Sequence, residues 1–136
     1  MRELHRRMFD QTWKWAGKYR TSEKNIGVQH YLIRESLAQL LDDVRYWMDH
    51  QTYAADEIAV RLHHRLVSIH CFPNGNGRHA RLMADVLAQR QDVPFFTWGG
   101  ATLNLARQGE VRLRYIQALQ EADKNNIQPL LVFARS

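Results

Sequence analysis

DEIAVRLHHRLVSIHCFPNGNGRHARLMADVLAQRQ, residues 56–91, holds two helical patterns separated by one turn-rich break. In the first, Ile58, Leu62, Leu66 and Ile69 recur at three- and four-residue steps, the spacing that gathers side chains on one face of an α-helix. Asp56 and Glu57 suit its N-terminus, where acids meet the positive end of the helix dipole. The pattern runs directly into His70. It resumes at His79 and continues to Gln91 with Leu82, Met83, Val86 and Leu87, until Asp92 and Pro94 stop it.

The same rhythm extends in both directions. Upstream, Ile33, Leu37, Leu40, Leu41, Val44, Trp47 and Met48 form one apolar stripe and predict a helix from Tyr31 to His50. Leu4, Met8, Phe9 and Trp13 predict a first helix from Arg2 to Trp15, ended by Gly17. Between them, Tyr19 to Val28 is polar and rich in turn formers, so it reads as an irregular surface excursion. Downstream, residues 97–109 read as a short helix, and Glu110 to Asn125 as a longer one facing Val111, Tyr115, Ala118, Leu119 and Ala122 to the core. Pro129 starts a last turn. Strict alternation of the kind a half-buried strand needs is scarce, and the predicted fold is all-α.

At 136 residues there is room for one hydrophobic core, and a single domain over residues 1–136 is expected. Hydrophobic residues at 45% against 24% charged exclude a disordered or fibrous chain. No apolar run approaches the roughly 18 residues of a membrane span, and the first residues carry no secretory signal. The single cysteine, Cys71, has no intrachain partner, so a cytoplasmic compartment is expected. The net charge of +5 comes from Arg and Lys spread among acids, which reads as a mixed solvated surface and not as a nucleic-acid stripe.

The break itself, His70-Cys71-Phe72-Pro73-Asn74-Gly75-Asn76-Gly77-Arg78-His79-Ala80-Arg81, carries the chemistry. Its second half forms the mouth of the later helix, where unpaired backbone N–H groups and the helix dipole make an anion site. Gly75 and Gly77 permit positive φ and close approach of a phosphate, and Arg78 and Arg81, three apart, put two guanidinium forks on nearly one face. His70 stands before this cradle with a side chain that, neutral, accepts a proton from an attacking hydroxyl. Phe72 is expected to be buried as the anchor of the loop. A base beside a phosphate site points to phosphoryl or nucleotidyl transfer.

At these residues the chain resembles the Fic family, whose signature is HxFx(D/E)GNGRxxR, and within it the bacterial proteins called mobile mystery protein B. His70, Phe72, Gly75, Asn76, Gly77, Arg78 and Arg81 match. The resemblance implies a Fic-fold helical bundle with a short flap between early helices, and a protein adenylyltransferase that moves AMP from ATP to a Ser, Thr or Tyr hydroxyl of a target protein. It implies His70 as general base, Gly75, Asn76 and Gly77 as the lining of the anion hole, and Arg78 and Arg81 as contacts of the outer phosphates. Asn25, Ile26, Gly27 and Val28 occupy the place of the flap that docks the target.

Two departures follow from the same comparison. Where the family has an acid that holds Mg²⁺, this chain has Asn74, a neutral and weaker ligand. An alternative is therefore a nucleotide-binding or protein-docking module with weak or no turnover; a Doc-like kinase is a further one, set against by Gly77, which the Doc loop lacks. No (S/T)xxxE(G/N) inhibitory motif is found, so restraint is expected from a partner protein or from an inhibitory helix upstream of a shortened N-terminus. His63, His64, His70 and His79 read as surface or core histidines and not as a zinc set, and Cys71 as a small packed residue. Trp15 and Trp98 are candidates for the wall of an adenine pocket.

Overall fold

The computed structural model describes residues 1–100 and 107–136, and among these every regular element is helical. Six α-helices follow in order: α1 (Arg2–Phe9), α2 (Ile33–Asp49), α3 (Ala55–Ile69), α4 (Asn76–Arg90), α5 (Gln108–Asp123) and α6 (Gln128–Arg135), with a short 3₁₀ turn at His30–Leu32 leading into α2. No helix among the described residues is long and apolar enough to cross a membrane.

The axis of the fold is α3, because it is apolar on two faces. Ile58, Leu62, Leu66 and Ile69 pack with Ile33, Leu37, Leu40 and Val44 of α2 and with Phe72. On its other side Ala59 and Val60 join Ala84 and Ala88 of α4, Ala118 and Ala122 of α5, and Leu130 and Phe133 of α6. The periodic stripe in the sequence marks only the first of these faces. A helix so enclosed cannot shift without opening both clusters, which gives its C-terminal residue a firm base.

The buried side of α4 differs from the one its large apolar residues predict. Leu82 and Val86 are 36% and 37% exposed, whereas Ala80, Ala84 and Ala88 are fully buried. These alanines recur every four residues, and their single methyl groups let α4 approach α3 closely, so contact between backbones replaces bulk. Helix α4 also begins at Asn76, three residues before the periodic pattern resumes, so the glycine-rich motif ends inside its first turn.

The first helix is shorter than predicted. It stops at Phe9, after which turns bring Trp13 back over Phe9, with ring centroids 4.8 Å apart, and stack Trp15 on Trp13 at 4.6 Å. Gly17 does not end a helix; with φ +81° it lies against α1 itself, where a Cβ would stand 2.8 Å from Arg6 Cβ. The aromatic reach of Trp13 outweighs its helical spacing. Of the short helix predicted over residues 97–109, residues 101–106 lie outside the described residues; Trp98 to Gly100 form a turn, and Gln108 and Gly109 belong to the start of α5. At the C-terminus, Pro129 sits in the first turn of a full helix and not of an isolated turn.

Because the α3–α4 contact depends on small side chains, Ala84→Leu is expected to destabilise the protein by about 1–3 kcal/mol through overpacking. Urea denaturation measures this; an unchanged midpoint would show that the alanine face is not closely packed.

Candidate functional site

An open cavity of about 980 Å³ lies where the loop after α3 meets the N-terminus of α4, bounded by α5, residues 98–100 and Phe133 of α6. His70, Asn74, Gly75, Asn76, Gly77, Arg78, Arg81 and Ile26 all line it, so most of the residues singled out from sequence meet in one place. Phe72 does not face it but lies fully buried beneath the loop. Of the two candidate tryptophans, Trp98 lines the cavity, while Trp15 stacks on Trp13. The charged side chains along the wall are Arg78, Arg81 and Arg112, and no carboxylate is among the described lining residues.

His70 terminates α3 in the left-handed conformation, φ 56° and ψ 63°, with its N–H bonded to the Leu66 carbonyl at 3.1 Å. A non-glycine residue there is strained, and surrounding structure must hold it. Arg20 does so. Its side chain is 1% exposed and donates to the carbonyls of His70 (2.6 Å), Ile69 (3.2 Å), Ser22 (3.1 Å) and Val28. The guanidinium thus closes the carbonyl end of α3 and ties it to the excursion between α1 and α2 in one step. Gly27, with φ +97°, completes the seam: a Cβ on it would lie 2.7 Å from His70 Cβ and 2.9 Å from the Ile69 carbonyl. Burial, and then the positive charges of Arg20 and Lys24, hold the His70 imidazole below its ordinary pKa, so it is neutral at neutral pH and able to accept a proton.

The loop is set by hydrogen bonds that no local pattern announces. Asn76 uses both ends of its side chain on one residue, accepting from the Phe72 N–H at 2.9 Å and donating to the Phe72 carbonyl at 2.7 Å. What Asn76 offers the cavity is consequently its backbone and not its amide. His5 is wholly buried, its ring stacked on Phe72 at 3.8 Å. Its Nδ1 accepts from the Gly17 N–H at 2.9 Å, so Nε2 carries the hydrogen and donates to the Asn74 carbonyl at 2.9 Å. Asn74 in turn accepts the Gly75 N–H on Oδ1 at 2.8 Å.

Gly75 and Gly77 turn out to serve different ends. Gly75 has φ +78°, and a Cβ would stand 2.7 Å from the Phe9 ring, so glycine is required there. Gly77 lies within the first turn of α4, has no positive φ, and a Cβ would meet only Tyr115 Oη at 3.8 Å. The expectation of positive φ at Gly77 is therefore incorrect, because α4 starts one residue before it. Its missing side chain leaves open the approach to the N–H groups of the first turn, which lack intrahelical acceptors.

The two motif arginines are held by aromatic faces. Arg78 lies over Phe9 at 4.7 Å and Trp13 at 5.7 Å. Arg81 lies over Tyr115 at 4.5 Å, and its buried Nε has no hydrogen-bond partner among the described residues. Around the cavity the other histidines diverge. His63 bonds the Tyr115 hydroxyl, His64 pairs with Asp123 at 2.7 Å, and His79 bonds the Met1 carbonyl at 3.1 Å. Cys71 is buried and its thiol is pushed up to about 12, which makes it inert at neutral pH.

Sequence reading missed Arg20, His5 and Arg112 as parts of the site. Each sits in a segment remote from the motif, and neither charge nor periodicity distinguishes it there.

A family model described as "Fic/DOC family" matches residues 1–88. The chain belongs to the Fic/DOC family. Among its relatives, a protein adenylyltransferase fic-1 of Caenorhabditis briggsae is 30% identical over 133 residues, covering 95% of this chain and 24% of its own length. A uridine 5'-monophosphate transferase of Xanthomonas campestris pv. campestris is 45% identical over 56 residues, covering 35% of this chain and 10% of its own. The solved structure of Fic-1 from C. elegans superposes with a TM-score of 0.76 at 26% identity, covering 98% of this chain and 38% of that one. The chain spans about a quarter of the length of the curated adenylyltransferases it matches.

Four histidines around the site have lowered pKa values: His5 and His70 below the ordinary range, His79 at about 4 and His63 at about 3, each chiefly through burial. The unfolded chain takes up these protons near pH 6.5 while the folded one refuses them, so stability is fully present above that pH and falls below it. Each histidine steepens the fall by up to about 1.4 kcal/mol per pH unit. Urea unfolding should give a clearly lower stability at pH 5 than at pH 7.5; equal values would show that these rings are protonated in the fold.

Proposed function

We propose that this chain transfers a nucleoside monophosphate, AMP from ATP, to the hydroxyl of a target protein. The observation that carries the reading is the convergence of a neutral, cavity-facing His70 with the uncapped first turn of α4 and two aromatic-held arginines. In this mechanism the target hydroxyl gives its proton to His70 as its oxygen attacks the α-phosphorus, and the bond from that phosphorus to the bridging oxygen of pyrophosphate breaks. The backbone N–H groups of Asn76, Gly77 and Arg78 receive the α-phosphate oxygens. Arg78 and Arg81 take the charge that moves onto the departing pyrophosphate. Trp98, Val111, Ile116 and Phe133 offer the apolar end of the cavity to the base.

The seam of Gly27 and Val28 against the end of α3 would hold the target's extended segment beside His70, with Asn25 and the exposed Ile26 at the rim. The naming of the Caenorhabditis relatives supports AMP as the group moved, and that of the Xanthomonas relative makes UMP the competitor to test.

The residues present do not fit a protein-held Mg²⁺. Asn74 is uncharged and its Oδ1 already accepts the Gly75 N–H, and no carboxylate is among the described residues lining the cavity. This favours a second reading, a module that binds nucleotide with little turnover. Labelling with α-³²P-ATP, γ-³²P-ATP and α-³²P-UTP separates the readings. Label from α-³²P-ATP alone is expected, falling by at least about 100-fold in His70→Ala while ATP binding persists. Asn74→Asp is expected to increase transfer in the presence of Mg²⁺. Label from γ-³²P-ATP would instead mean a kinase, and bound ATP without label in either protein would establish the binding module.

A further inference from the structure

His63 lies seven residues before His70 and has no part in the proposed proton transfer, yet it is completely buried. Its ring sits between those of Trp98, at 4.6 Å, and Tyr115, at 5.8 Å. Nε2 is 3.0 Å from the Tyr115 hydroxyl oxygen. A buried neutral imidazole has one N–H and one lone pair to place. The Tyr115 hydroxyl meets one of these at Nε2, while Nδ1 is buried with no hydrogen-bond partner among the described residues.

That bond fixes the Tyr115 hydroxyl, and with it the position of the ring. Arg81 lies on that ring, its guanidinium carbon 4.5 Å from the ring centroid. The hydroxyl oxygen stands 3.8 Å from where a Gly77 Cβ would be, so the bracket ends at the first turn of α4. Meanwhile Arg81 Nε is buried with no hydrogen-bond partner among the described residues.

We infer that His63 and Tyr115 are positioning residues that hold the Arg81 guanidinium at the cavity wall for the outer phosphates of the bound nucleotide, so that they determine preference for a triphosphate over a monophosphate. The inference rests on the reading of the cavity as a nucleotide site. Packing alone would be served equally well by phenylalanine at position 115; the hydroxyl is what the bracket requires.

The test uses Tyr115→Phe, which keeps the ring under Arg81, together with Arg81→Lys and the double variant. Calorimetry gives Kd for ATP and for AMP, and ¹⁵N spectra of the ligand-free protein follow the arginine Nε–H signals, that of Arg81 identified by its loss in Arg81→Lys. In Tyr115→Phe, ATP binding should weaken about tenfold, equivalent to about 1.4 kcal/mol, with AMP binding changed less than about twofold, and the Arg81 Nε–H should exchange faster with solvent. The double variant should bind ATP no more weakly than Arg81→Lys. Equal weakening for ATP and AMP, an unaltered ATP-to-AMP ratio, or additive losses in the double variant would overturn the inference. If Arg81→Lys lowers ATP affinity while Tyr115→Phe matches the wild type, this inference alone fails. If the wild type binds neither nucleotide, the reading of the cavity fails with it.

Discussion

A single buried cation, Arg20, joins the parts of this molecule that would otherwise come apart at the site. The last carbonyls of an α-helix have no intrahelical donors and carry the negative end of its dipole. At the end of α3 the guanidinium of Arg20 reaches two of them, Ile69 and His70, while also holding the carbonyls of Ser22 and Val28. A planar fork with five donors can span four acceptors, which a lysine ammonium cannot do in the same geometry. The strained turn at His70, the position of Gly27 and the course of the excursion all follow from this one side chain. Its desolvation is offset because its contacts are carbonyl dipoles arranged around it, with Glu23 only at 4.0 Å.

A second set of contacts fixes the other half of the loop, and here neutral groups are used. His5 and Asn76 each bond backbone on both sides, and Phe72 fills the space between α1 and α3. The loop is therefore held from beneath by uncharged, fully partnered groups, while the cations Arg78 and Arg81 lie on aromatic faces at the cavity wall. This separation matters for anion binding. Positive charge at the wall is not neutralised by nearby acids, so it remains available to a polyanion, and the floor costs little to bury.

The helix boundaries show how far local pattern reaches. Apolar spacing marks α2 and α3 well because Ile33, Leu37, Leu40 and Val44 of α2 and Ile58, Leu62, Leu66 and Ile69 of α3 are buried as predicted, although Leu41 and Met48 at the edge of the α2 stripe are each 37% exposed. It misleads at α4, where small residues define the packed side, and at α1, where Trp13 leaves the helix to cover Phe9. In both cases a contact with another element outweighs a modest local preference. The motif residues were legible as a group because their types are unusual together, yet the different roles of Gly75 and Gly77 became evident only from where α4 begins.

By itself the sequence determined that the chain is helical, that two helices flank a glycine- and arginine-rich break, and that a histidine stands at the start of that break. These depend on neighbours within a turn or two, so a linear reading captures them. Only the tertiary structure decided which face of α4 is buried, that the Asn76 side chain is spent on supporting the loop, and that Arg20, His5, His63 and Tyr115 lie around the candidate site. The physical reason is that buried donors and acceptors must be satisfied by whatever the fold brings within about 3 Å. In this chain those partners come from residues as far as 78 positions away.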